Sequence, residues 1–165
     1  EKLKVRFAYM ILLPHMLVGA VLGAKIHSYF IILPVALALH FFLDCLPHWE
    51  YEKKKLSRLF GAKFQLFIFK ALLDLALGLA AVWWLFGGSL YLKYVIFSVF
   101  ISILPDGLTL INRLSHGRIK FLDKLQLFHE KIHPRDNRKL VVGGLVLEAL
   151  AVGFVIYIVV YAKNF

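Results

Sequence analysis

The stretch YFIILPVALALHFFLDCLPH, residues 29–48, decides how this chain is to be read. It is apolar for long enough to approach a bilayer span, yet it carries His40, Asp44 and His48 at four-residue spacing. Residues four apart on a helix lie about 40° from one another around the axis, so these three form one row. Pro47 ends or kinks the helix near His48. An ionisable row on an otherwise hydrocarbon helix is costly, and marks a site rather than a surface.

The rest of the chain agrees with that reading. Of 165 residues, 61% are hydrophobic and 18% charged, and the mean hydropathy is +0.75. A soluble core of this length cannot hide so many large apolar side chains. Disorder, collagen and coiled coil are excluded by the same composition. The expected fold is an all-α polytopic integral membrane protein, one transmembrane domain over 1–165. Five apolar segments approach the ~20 residues that a bilayer-crossing helix needs: 7–24, 29–47, 65–87, 90–112 and 140–162. The N-terminal apolar stretch runs on too long for a cleavable signal peptide and no small-residue cleavage site follows it. One cysteine, Cys45, rules out an internal disulfide framework and reads as a small buried hydrophobe.

The net charge of +10 comes from twenty Lys and Arg against ten Asp and Glu. In a membrane protein this balance first reports topology, and nucleic acid is not an expected partner. Sixteen basic residues fall on one side: Lys2, Lys4 and Arg6; Lys53, Lys54, Lys55, Arg58 and Lys63; Arg113, Arg118, Lys120, Lys124, Lys131, Arg135, Arg138 and Lys139. Only Lys25, Lys93 and Lys163 fall on the other. The split predicts insertion in the cytoplasmic (inner) membrane with the N-terminus cytoplasmic and the C-terminus outside.

Ionisable groups then recur at one depth. Counted from the cytoplasmic end of each span at ~1.5 Å per residue, His15, His40, Asp74, Asp106 and Glu148 lie roughly 9–14 Å deep. Asp44 and His48 are shallower. None of the five spans carries such a group near its outer face, which points to one shared site. His129 and His133 form a second four-residue pair in the last cytoplasmic loop, 113–139. There Ile119, Leu122, Leu125 and Ile132 predict an amphipathic surface helix over 118–133.

Imidazole and carboxylate at these spacings are the ligand set of zinc and related divalent metals. The candidates are His15, His40, Asp44, His48, Asp74, Asp106, His129 and His133. Eight ligands suit two ions better than one, zinc first, with manganese or magnesium as alternatives. Glu130 and Asp106 are the expected catalytic proton carriers. Some of these residues have plainer readings. Lys70 and Asp74 are four apart and equally make an ion pair, and Glu148 equally bonds a neighbouring span. His129-Glu130-x-x-His133 also satisfies the HExxH pattern of zinc metalloproteases, with Asp106 as a possible third ligand.

The strings LPHMLVGAVLGAKI (13–26), ALALHFFLDCLPHWEYE (36–52), ISILPDGL (101–108) and FHEKIHP (128–134) resemble the small bacterial and archaeal membrane-bound metal-dependent hydrolases. The resemblance spans about 12–135 and implies a hydrolase more than any substrate. The His-Arg-Gly-x-x-His-Ser motif that such proteins often carry does not surround His129 and His133. The His40, Asp44, His48 row is also similar in style to zinc-dependent phospholipase C enzymes, which cleave phosphodiesters. The expected function is therefore hydrolysis of a membrane lipid or lipid-linked phosphodiester at the cytoplasmic leaflet. The alternatives are an intramembrane metalloprotease and a non-enzymatic divalent-metal binder or transporter.

Overall fold

The computed structural model describes residues 12–45, 62–115, 118–132, 146, 149–150, 152–155 and 157. Five helices follow in chain order: α1 (Leu12–Lys25), α2 (Tyr29–Cys45), α3 (Ala62–Phe86), α4 (Leu92–Leu114) and α5 (Lys120–Ile132). Further helical residues between 146 and 157 fall within the fifth apolar segment. The fold is all-helical. Among the described residues, two helices are long and apolar enough to cross a membrane, over Phe64–Phe86 and Leu92–Asn112. At 14 and 17 residues, α1 and α2 are apolar but shorter.

α4 is the centre of the bundle, touching α1, α2 and α5, while α1 also lies against α3 and α2. Small residues explain the closeness of α1 to α4. A Cβ on Gly23 would stand 2.3 Å from the carbonyl oxygen of Tyr94, and one on Gly19 would stand 2.3 Å from Ser102 Oγ. Gly-xxx-Gly thus acts here as a helix-packing face. Around it Met16, Leu17, Ala20 and Ala24 meet Val82, Phe86, Val95 and Val99, with Val155 closing the cluster.

The outside of the bundle is as apolar as its inside. Phe30 is 93% exposed and Trp84 80%, and α3 presents Phe69, Leu73 and Leu77 outward. A helix that is hydrophobic all round and little buried by protein suits a lipid solvent. These apolar helices are consistent with membrane association.

The turns follow their residues. His27 donates a 3.0 Å hydrogen bond to the carbonyl of Ala24 and stacks on Tyr91, closing α1. Gly87 ends α3 by bonding back to Trp83, and the Ser89 hydroxyl accepts the N–H of Tyr91 before α4. Cys45 is exposed at the end of α2, against the expectation of a buried residue. Being the last described residue of its helix, it lies beyond the packed row of Ile32, Ala36 and His40.

Candidate metal centre

Four helices meet at one polar cluster. α1 brings His15, α2 brings His40 and Asp44, α4 brings Asp106, and α5 brings His129. All but Asp106 are almost completely buried. Asp44 is the hub: His40 Nε2 lies 3.1 Å and His129 Nε2 2.5 Å from its Oδ2, and His15 Nε2 lies 3.3 Å from its Oδ1. Asp106 Oδ1 stands 3.9 Å from His129 Nε2. Two groups have ligand atoms close enough to hold an ion: His15, His40 and Asp106; and His40, Asp44 and His129.

The sequence of α4 explains how the row on α2 is oriented. Pro105 has no N–H for the carbonyl of Ile101 and its ring opens that turn. One residue on, the carbonyl of Ser102 accepts a 2.7 Å hydrogen bond from His40 Nδ1. A carbonyl can only accept, so Nδ1 carries a proton and Nε2 faces the Asp44 carboxylate. His40 Nε2 has no hydrogen-bond partner among the described residues. Nε2 at 3.1 Å from a carboxylate oxygen in a buried site is satisfied either by a second ring proton or by a cation held between the two atoms. Metal-ligating histidines commonly have their other nitrogen fixed by a carbonyl or carboxylate in this way. The residues present therefore fit a divalent ion. His40 has one lone pair to give, so the two groups that share it cannot both be filled through it.

α5 is the predicted amphipathic segment, docked onto α4 and α2. Asn112 Nδ2 donates to Asp123 Oδ1 at 2.8 Å and to Gln126 Oε1 at 2.9 Å, which fixes the helix one turn from His129. Thr109 Oγ1 lies 3.3 Å from His129 Nδ1 and Phe41 meets both Phe128 and His129 edge-on. The segment thus covers the cluster.

Of the other sequence candidates, Asp74 is drawn away. Its carboxylate accepts the N–H groups of Leu12 and Leu13 at the start of α1, where the helix dipole favours an anion. Among the described residues it belongs to neither ligand group. His48, His133, Glu148 and the side chain of Glu130 lie outside the described residues.

Ser102, Thr109 and Asn112 were not singled out from the sequence, although the signal was there. Ser98, Ser102, Asp106, Thr109 and Asn112 recur every three or four residues along α4, a polar stripe on a helix that is otherwise hydrocarbon. Comparison with known families, with curated proteins and with solved structures finds no match for this chain.

Proposed function

We propose that this chain is a membrane-embedded, metal-dependent hydrolase of amphiphilic phosphodiesters, working at the cytoplasmic leaflet of the inner membrane as a five-span protein. The observation that carries the reading is the convergence of three imidazoles and two carboxylates from four helices, with His40 oriented by the Ser102 carbonyl. Two histidines with one carboxylate, the make-up of either group, suit zinc ahead of manganese or magnesium. Because the two ligand groups share His40, one ion is expected rather than two.

A bound divalent ion would supply Lewis-acid stabilisation of a phosphoryl oxygen and activation of water. The chain's own groups supply the rest. Asp106 Oδ2 has no hydrogen-bond partner among the described residues, so this carboxylate can take the proton as water attacks phosphorus. The proton passes to the departing alkoxide as the P–O bond breaks. Membership of the small membrane-bound metal-dependent hydrolases, as the motifs suggest, is part of the same proposal.

Metal analysis of detergent-purified protein by mass spectrometry tests it, with the His40→Ala/Asp44→Ala double variant beside the natural chain. About one equivalent of metal is expected, lost in a variant that keeps its helical circular dichroism. Phosphodiester lipids are then screened for turnover with the loaded protein. Metal-free protein after purification without chelators, or a loaded protein that cleaves no lipid phosphodiester, overturns the proposal. The place of His129 in the cluster also favours the HExxH reading, which requires His133 as a ligand. Loss of metal in His133→Ala would support that protease.

A further inference from the structure

A cavity of about 190 Å³ lies between α1, α3 and α4. Its walls are Phe67, Ala71, Leu75, Ile103 and Leu110 with their neighbours, hydrocarbon except for Asp74 and Asp106. Asp106 belongs equally to the His/Asp cluster, so the apolar space borders the candidate ligands at that residue. Leu72 and Gly107 on the lining are exposed, which opens the cavity sideways between α3 and α4. These are the two helices long and apolar enough to cross a membrane, so in a bilayer the opening faces lipid.

We propose that this cavity holds the hydrocarbon chain of a bilayer lipid, with the lipid's polar end at Asp106. The space equals that of about six waters, but walls this apolar offer water too few partners, whereas an alkyl segment needs none. Gly107 leaves the opening clear: a Cβ there meets nothing within 4 Å. The glycine directly after Asp106 leaves room for a chain beside the carboxylate. Taken with the hydrolase reading, on which this step rests for its chemistry, the site selects an amphiphile that enters from the membrane rather than a soluble phosphodiester.

The test uses the full chain in vesicles of phosphatidylethanolamine and phosphatidylglycerol. A trace of phosphatidylglycerol carries a diazirine on its acyl chain. After irradiation, crosslinks are mapped by peptide mass spectrometry. Labelling is expected at Phe67, Ala71, Leu75 and Ile103 in excess of Leu73 and Leu77, which are exposed on α3 away from the cavity. Gly107→Phe should reduce cavity labelling at least fivefold while metal content and outer-face labelling stay unchanged. Ala71→Phe fills the space from the opposite wall and replaces that variant if it loses metal or fold. Cavity labelling no greater than outer-face labelling, or labelling indifferent to both substitutions, overturns the proposal. The readout needs no turnover. Labelling that Gly107→Phe abolishes, in a protein that cleaves no lipid, retains the chain site and removes only the hydrolase.

Discussion

Replacing Gly23 by alanine tests whether the close approach of α1 to α4 is what assembles the cluster. The new Cβ would stand 2.3 Å from Tyr94 O and 2.6 Å from Val95 Cα, both backbone atoms that no rotamer change can move. Ordinary contact begins at 3.4 Å, so the helices must separate by about 1.1 Å, the difference between 3.4 and 2.3. Overpacking of this kind costs about 1–3 kcal/mol. That is roughly a 5- to 150-fold change in the folding equilibrium at 1.4 kcal/mol per tenfold. His15 lies two turns away on the same helix, about 12 Å at 1.5 Å per residue. Ligand constellations tolerate only about 0.5 Å. Metal affinity should therefore fall on the order of 10- to 100-fold, the range of a disturbed supporting shell. The assays are equilibrium unfolding in mixed micelles and a competitive metal titration. Gly153→Ala is the control, since its Cβ meets nothing within 4 Å and the change should stay within about 0.5 kcal/mol. If Gly23→Ala matches that control in both assays, the close-packing argument is wrong.

Three further outcomes follow from single contacts. Asp44→Asn keeps the side chain's size but removes the charge shared by three imidazoles, so bound metal should be lost while circular dichroism is unchanged. Asn112→Ala removes the two hydrogen bonds that this side chain makes to α5, worth about 1–3 kcal/mol together. Hydrogen exchange across 120–132 should then accelerate by roughly 5- to 150-fold, and unchanged exchange would dissociate α5 docking from Asn112. Cys45, the only cysteine and exposed at the end of α2, should react with an impermeant maleimide in inside-out vesicles. Reaction only in right-side-out vesicles would invert the orientation derived from the basic residues.

The helices were legible because hydrocarbon patterning and its interruptions are local. The turn at Gly88-Ser89 and the amphipathic segment of α5 both lie where composition changes. The cluster was legible because polar groups in hydrocarbon must meet one another. His15, His40, Asp44, Asp106 and His129 come together for that reason. Asp74 shows the limit. Its depth matches theirs, but the N–H groups at the start of α1 are nearer, and whether a carboxylate meets a helix terminus or an imidazole depends on packing. The role of Ser102 was hidden for a related reason: its carbonyl, not its side chain, orients His40, and no residue type announces a carbonyl.

The composition of the cluster answers a problem of solvent. His15, His40, Asp44 and Asp106 stand on helices whose neighbours are nearly all hydrocarbon, where an isolated charge costs several kcal/mol or more. Mutual contact removes that cost, because each carboxylate faces imidazole and His40 is fixed by a carbonyl. Such contact alone would serve a bundle whose polar groups merely join helices, and two features exceed that need. His129 arrives on a helix whose outer face carries exposed Lys120, Lys124 and Lys131, so the cluster is completed from the polar side. On the opposite side Asp106 borders an apolar cavity between the two longest hydrocarbon helices. A charged helix and an apolar cavity thus border the same cluster. The proposed hydrolysis of an amphiphile would use that arrangement, whereas a contact that only holds helices together has no use for it.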